Sequence, residues 1–232
     1  MAHETEIKLR VRNEKALVRR LKVLGARPAN GGSGRAHEWN VIFDTPQGGL
    51  AKHGQLLRIR TETAEPKKKT RRNETQKRIV LTFKKPAVQA DEARDSAGTL
   101  VATGRHKVRE EIEVEVANAA TLSRIFEGLG MRGWFRYEKY RTTYRLPPSA
   151  RWAKDLLIEL DETPIGNFLE LEGAPEAIDR AAETLGYSRQ DYILKSYLAL
   201  YLDECRRRGE PPQDMVFSKR AEDKRRSAEI VS

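Results

Sequence analysis

Charged and apolar residues alternate along most of this chain. From Glu4 to Val11 the charged side chains of Glu4, Glu6, Lys8 and Arg10 interleave with Thr5, Ile7, Leu9 and Val11. Strand side chains repeat with period two, so such a segment is ionic on one face and apolar on the other. The pattern predicts strands at about 3–12, 39–44, 56–61, 79–84, 107–116, 135–146, 155–161 and 168–172. Helical spacing replaces it at 14–25, where Leu17, Leu21 and Leu24 precede Gly25, near 119–129, at 175–185 and at 191–207. Thr45-Pro46-Gln47-Gly48-Gly49 and Pro147-Pro148 read as turns. Strands that recur with helices interposed in each half predict an α+β fold. It is one pseudo-twofold, eight-stranded antiparallel β-barrel with helices packed outside.

The charges are also sorted by sign. Arg58 and Arg60 share a face, as do Lys139 and Arg141, while Glu159 with Asp161 and Glu170 with Glu172 supply carboxylates. An eight-stranded barrel has just enough interior for side chains or a small ligand. Burying an unpaired charge costs several kcal/mol. A lumen lined this way is therefore wet, internally paired, or filled by a counter-charged ligand. Arginine forks match phosphate oxygens, and carboxylates facing a phosphate chain make sense when a hard cation bridges the two.

Composition narrows the partners. Lys and Arg outnumber Asp and Glu by 44 to 34 in 232 residues, a net charge of +10 that favours anions. Cys205 is the only cysteine, so no intrachain disulfide or cysteine metal cluster exists. His3, His37, His53 and His106 have no metal-ligand spacing. No run of about 18 apolar residues and no signal core is present, so a cytoplasmic protein is expected. The basic loop at 63–77, with Lys67, Lys68, Lys69, Arg71 and Arg72, and the Ala/Asp/Gly-rich stretch at 86–106 read as insertions. Residues 1–205 read as the folded domain, and 206–232 as a charged, disordered tail.

The residues also carry a family resemblance. Glu4-Thr5-Glu6-Ile7-Lys8 resembles the ExExK signature of the CYTH superfamily, the triphosphate tunnel metalloenzymes. Six more segments follow in the family's order. Phe43-Asp44-Thr45-Pro46 with Leu50, Gly54 and Leu57-Arg58-Ile59-Arg60 resembles its second and third strands. Leu81 to Pro86 resembles its lysine-bearing fourth strand. Arg109 with Glu111 and Glu113, Lys139-Tyr140-Arg141, Gly166 to Glu172, and Lys195-Ser196-Tyr197 continue the series. The resemblance covers about residues 3–202.

It implies a triphosphate tunnel held by Lys8, Arg58, Arg60, Lys84, Arg109, Lys139, Arg141 and Lys195, with Lys8, Arg58 and Lys139 catalytic. It implies cation ligands in Glu4, Glu6, Glu170 and Glu172, with Glu111, Glu113, Glu159 and Asp161 as further candidates, and Mg²⁺ or Mn²⁺ as cofactor. The family includes class IV adenylyl cyclases, thiamine triphosphatases and inorganic tripolyphosphatases. The expected substrate is accordingly inorganic triphosphate, ATP or thiamine triphosphate, and the expected reaction is hydrolysis, with cyclisation of ATP as the alternative. A non-catalytic polyphosphate sensor would not need the glutamate pairs. A nucleic-acid binder would carry its charge on an outer groove with aromatic platforms, whereas aromatics here are few. No specific nucleic acid and no membrane is expected, and the chain is expected to be a monomer or homodimer.

Overall fold

The computed structural model describes residues 2–29, 33–65, 76–87 and 106–218. Its first half contains β1 (Ala2–Val11), α1 (Glu14–Val23), β2 (Arg27–Pro28), β3 (Arg35–Asp44), α2 (Gly49–Lys52), β4 (Leu56–Ala64), β5 (Lys77–Pro86), β6 (Lys107–Glu115) and α3 (Ala119–Gly128). The second half contains β7 (Arg132–Arg145), β8 (Leu157–Thr163), β9 (Gly166–Glu172), α4 (Pro175–Thr184) and α5 (Tyr197–Arg208). Eight strands run β7-β3-β4-β5-β6-β1-β9-β8, and β8 pairs back onto β7 to close an antiparallel barrel. The two-residue β2 is an addition on the edge of β7. No helix among the described residues is long and apolar enough to cross a membrane.

Alternation decides what each wall faces. Ile7, Leu9 and Val11 of β1, Ile158 and Leu160 of β8, and Leu169 and Leu171 of β9 point outward and are buried. Leu17 and Leu21 of α1 and Ile178, Ala181 and Ala182 of α4 cover them. Each helix starts where its sequence supplies a stop for the preceding chain. Asn13 caps α1 by accepting from the Ala16 amide at 3.0 Å, and Pro175 opens α4. On the opposite wall Phe126 of α3 packs edge-on against Phe43 of β3, with ring centroids 5.1 Å apart.

Two gaps in the strand pairing are sealed by non-strand chain. β6 pairs β1 only as far as Glu6, and beyond it Lys8 exchanges both backbone hydrogen bonds with Ile193. β8 pairs β7 only from Tyr140 onward, and beside Arg136 and Glu138 the backbone of Met215 takes its place. The segment after α5 is therefore part of the wall. Met215 is 1 % exposed, the Asp214 carboxylate accepts from the Arg136 amide, and the Phe217 ring lies 5.6 Å from that of Tyr140. The expectation of a disordered tail from 206 fails for residues 206–218, because α5 runs through Arg208 and Gly209 turns the chain back with φ +68°. Residues 219–232, like most of both expected insertions (66–75 and 88–105), lie outside the described residues.

The helix expected from 191 also starts later. Ser196 caps α5 by accepting from the Ala199 amide, and the residues before it extend along β1 instead.

Candidate active site

Strand register collects the charged faces into one cavity of about 400 Å³ inside the barrel. Cross-strand partners face the same side. The pairs Glu4↔Arg109 and Glu6↔Lys107 come from β1 and β6, Lys8↔Glu170 and Glu6↔Glu172 from β1 and β9, and Glu159↔Glu170 from β8 and β9. Arg58 and Arg60 of β4, Lys84 of β5, Glu111 and Glu113 of β6, and Lys139 and Arg141 of β7 line the same space. The two halves of the sequence thus contribute opposite walls of a single ionic lumen.

Most of these groups are paired with one another. Lys8 Nζ lies 2.9 Å from Glu170 and 3.4 Å from Glu6. Lys84 lies 2.5 Å from Glu4 and 3.0 Å from Glu111, and Arg60 lies 3.3 Å from Glu113. Arg141 contacts Glu159, Asp161 and Glu170 together. Burial alone would raise Glu6 and Glu170. Lys8 with Lys107 holds the first below the ordinary carboxylate range, and Lys8 with Arg141 holds the second. Lys8 is correspondingly raised: burial opposes its charge, and Glu170 and Glu6 overcome burial.

Other groups are left in deficit. Burial, with Glu4 and Glu159 nearby, pushes the Glu172 carboxyl up to about 8. Burial pushes Glu159 up to about 7 even though it touches Arg141, because that guanidinium is shared with Asp161 and Glu170. Burial and Lys8 pull Lys107 down to about 8 despite its contact with Glu6. Arg109 makes no ion pair among the described residues, and burial lowers it. Arg58 is held mainly by neutral groups, donating to the Tyr137 hydroxyl at 3.0 Å and to Thr82 at 3.3 Å, with Glu113 4.0 Å away. Two guanidiniums and two carboxyls are thus the least committed charges in the lumen.

The oxygen-only donor set of Glu4, Glu6, Glu111, Glu113, Glu159, Glu170 and Glu172 could hold Mg²⁺ or Mn²⁺, which prefer such ligands. Crowded carboxyls raised to about 7 and about 8 are what a cation would relieve. Among the described residues no three carboxyl or imidazole groups already converge as a cage.

Two predicted site residues are placed differently. Lys195 lies outside the lumen, with its side chain 59 % exposed and its ammonium 2.6 Å from Asp203 on the outside of α5. It is turned outward because Ile193, two residues earlier, is bridged to β1 and Ser196 begins the helix. Asp161 is inside but wholly buried, and its oxygens are taken by Lys139 at 2.8 Å, by Arg141 and by the Tyr197 hydroxyl at 2.6 Å. It acts as a counter-ion that fixes two cations.

Five lumen residues were not anticipated. Lys107 and Tyr137 share the parity of their neighbours Arg109 and Lys139, so alternation could have found them. Glu38, 3.5 Å from Lys139, precedes the predicted start of its strand. Tyr197 reaches in from α5, with Lys8 and Lys139 5.3 and 5.1 Å from its ring centre. Trp134 lines the mouth at the end of the barrel where β3 ends and β4 begins. Neither aromatic follows from strand periodicity.

Comparison with known proteins agrees with this architecture. The family model of the CYTH domain matches residues 2–197. Among solved structures, a protein from Vibrio parahaemolyticus described as a proposed adenylate cyclase matches with TM-score 0.61 and 18 % identity, over 85 % of this chain and 96 % of that one. The PH1012 protein from Pyrococcus horikoshii matches with TM-score 0.57 and 23 % identity, over 85 % and 98 %. The adenylyl cyclase candidate HpAC1 from Hippeastrum, described as revealing a dominant triphosphatase activity, matches with TM-score 0.51 and 21 % identity, over 90 % and 97 %. No curated protein matches the chain.

Proposed function

Because the chain belongs to the CYTH family, we propose that its lumen binds a triphosphate chain with Mg²⁺ or Mn²⁺ and that the protein hydrolyses inorganic or organic triphosphate. The observation that carries this reading is the closed barrel in which cations from β1, β4, β5, β6 and β7 face carboxylates from β1, β6, β8 and β9. A phosphate chain needs the first set, and a hard cation riding on it needs the second.

Each group then has a chemical task. Arg58 and Arg109, the least committed guanidiniums, meet phosphate oxygens first, in the planar geometry their forks allow. Lys8, Lys139 and Arg141 are held in place by buried carboxylates and add positive potential without having to be reoriented. Lys84 sits between Glu4 and Glu111, so it loses part of its pairing when those carboxylates turn to a cation and becomes free to take a phosphate oxygen. Glu4 and Glu172, with Glu159, would hold the divalent ion, and Glu6, Glu111, Glu113 and Glu170 would orient around it. When bound, that ion neutralises phosphate charge and makes the phosphorus under attack more electrophilic.

The same tunnel serves the alternative reaction, in which the 3′-hydroxyl of ATP attacks the α-phosphorus and pyrophosphate leaves as cyclic AMP forms. A passive polyanion binder has no use for Glu172, which makes no ion pair with a lysine or arginine among the described residues. The deciding experiment incubates the protein with Mg²⁺ or Mn²⁺ and, in parallel, inorganic triphosphate, ATP and thiamine triphosphate. Phosphate release without cyclic AMP is expected. Cyclic AMP with equal pyrophosphate would make the protein a cyclase, and tight binding with neither product would make it a sensor.

A further inference from the structure

The part of β1 that carries Glu6 and Lys8 has no continuous strand along one of its edges. β6 accompanies it only as far as Glu6↔Lys107, and the next bridge on that edge is Lys8↔Ile193. Lys107 is the first residue of β6, and Ile193 belongs to the irregular stretch before α5. Both reach the lumen through β1: Lys107 contacts Glu6, and Ile193 exchanges backbone hydrogen bonds of 2.9 and 3.0 Å with Lys8.

One carboxylate outside the barrel ties these two pieces together. Asp179 stands on α4, whose Ile178, Ala181 and Ala182 are wholly buried over the outward face of the wall that β1 shares with β8 and β9. Asp179 Oδ1 lies 2.8 Å from Nε2 of His106 and accepts from the Tyr192 hydroxyl at 3.0 Å. Its Oδ2 accepts from Arg189 at 3.0 Å. His106 immediately precedes Lys107, and Tyr192 immediately precedes Ile193. Each partner of β1 across the gap is thus one residue away from a side chain held by the same anion. Burial would raise the Asp179 carboxyl, and its bonds with His106 and Tyr192 overcome burial and hold it below the usual carboxylate range. An ionised carboxylate only accepts, so His106 Nε2 donates here as the tyrosine does. Burial and the Asp179 carboxylate push the Tyr192 hydroxyl up to about 12, so it keeps the proton it donates.

We propose that Asp179, through His106 and Tyr192, is a positioning residue for the lumen, a clasp on the outside of the barrel that sets Glu6 and Lys8 by holding Lys107 and Ile193 against them. The proposal rests on the tunnel reading above and adds to it a group that touches neither phosphate nor cation. Its leverage is geometric, since a displacement of about 1 Å at a group that acts on substrate costs on the order of 100-fold.

The test compares the full-length wild-type protein with Asp179→Ala, Asp179→Asn, Tyr192→Phe and Ile178→Val. Amide hydrogen exchange is read residue by residue, and the Kd of a slowly hydrolysed triphosphate analogue with Mg²⁺ is measured by calorimetry. Asp179→Ala should speed exchange at Lys8 and Ile193 about tenfold, the loss of one charge-assisted hydrogen bond, while the amides of β3 and β4 keep their wild-type rates. It should also weaken the analogue about tenfold. Asp179→Asn, which keeps an acceptor oxygen, should recover part of both effects, and Tyr192→Phe should show both more weakly. Ile178→Val loosens α4 without touching the clasp and should leave Kd unchanged. Equal acceleration throughout the barrel in Asp179→Ala would mean that Asp179 only supports the fold, and faster exchange at Lys8 and Ile193 with unchanged Kd would mean that the clasp does not act on the lumen. Either result overturns the proposal while leaving the tunnel reading intact. Failure of the wild-type protein to bind the analogue would overturn both.

Discussion

At the scale of single residues, the lumen is a ledger of committed and uncommitted charge, and Glu172 is its clearest test. Its carboxyl titrates near 8 in the folded protein, raised by burial and by Glu4 and Glu159, against about 4.3 in an unfolded chain. Between those values the unfolded state has lost a proton that the folded state keeps, so stability falls as pH rises through the window and levels off above about 8. Glu172→Gln removes the titration. Its melting temperature should match wild type near the lower bound and exceed it by a few degrees at the upper one. A difference that does not change with pH would refute the assignment. Sequence parity was enough to place Glu172 and most of its neighbours on one face. It could not tell a carboxylate open to a cation from one such as Asp161, already consumed by Lys139, Arg141 and Tyr197, because that depends on which strands lie opposite.

At the scale of elements, the strands were legible because one face had to be ionic and the other had to meet helices. The segments that seal the barrel were not. The stretch around Ile193 looked helical and the chain beyond Arg208 looked too polar to pack, yet each supplies backbone hydrogen bonds where a strand runs out of partners. Unpaired backbone in a barrel wall has a cost that composition does not register. A β-bulge at Trp134, between the pairs Ile42↔Phe135 and Phe43↔Gly133, was hidden for a similar reason, since only the pairing of β3 with β7 reveals it. The segment around Met215 borders Arg136 and Glu138, whose neighbours Tyr137 and Lys139 face the lumen. A protein ended after Ser218 keeps this segment and serves as the reference. Ending the chain after Gly209 removes the buried Met215 and the Phe217 amide's bond to Glu138. We expect the shorter protein to lose about 2–5 kcal/mol of stability and to bind triphosphate more weakly. Identical melting curves for the two truncations would show the segment to be dispensable.

At the scale of the whole molecule, the ionic interior links folding to ligand. The lumen carboxylates and cations satisfy one another incompletely, so on the reading proposed above a triphosphate with its cation would complete the core. At a hundredfold excess over Kd, a slowly hydrolysed triphosphate analogue with Mg²⁺ should raise the melting temperature by roughly 5–10 °C. An unchanged melting temperature at saturating ligand would rule the lumen out as the binding site. The closure of the barrel has a further consequence, for the order in which the molecule can be made. β1 is made before the other strands of the barrel, but it pairs with β6, with β9 and with Ile193, the last of which follows it by more than 180 residues. Until then the edge of β1 that β9 takes stays unpaired, with α1 alone covering part of its apolar row, and such non-local pairings form slowly. The earliest strand of the barrel is among the last to find all its partners, so the tunnel closes only after β9 and the chain around Ile193 have been made.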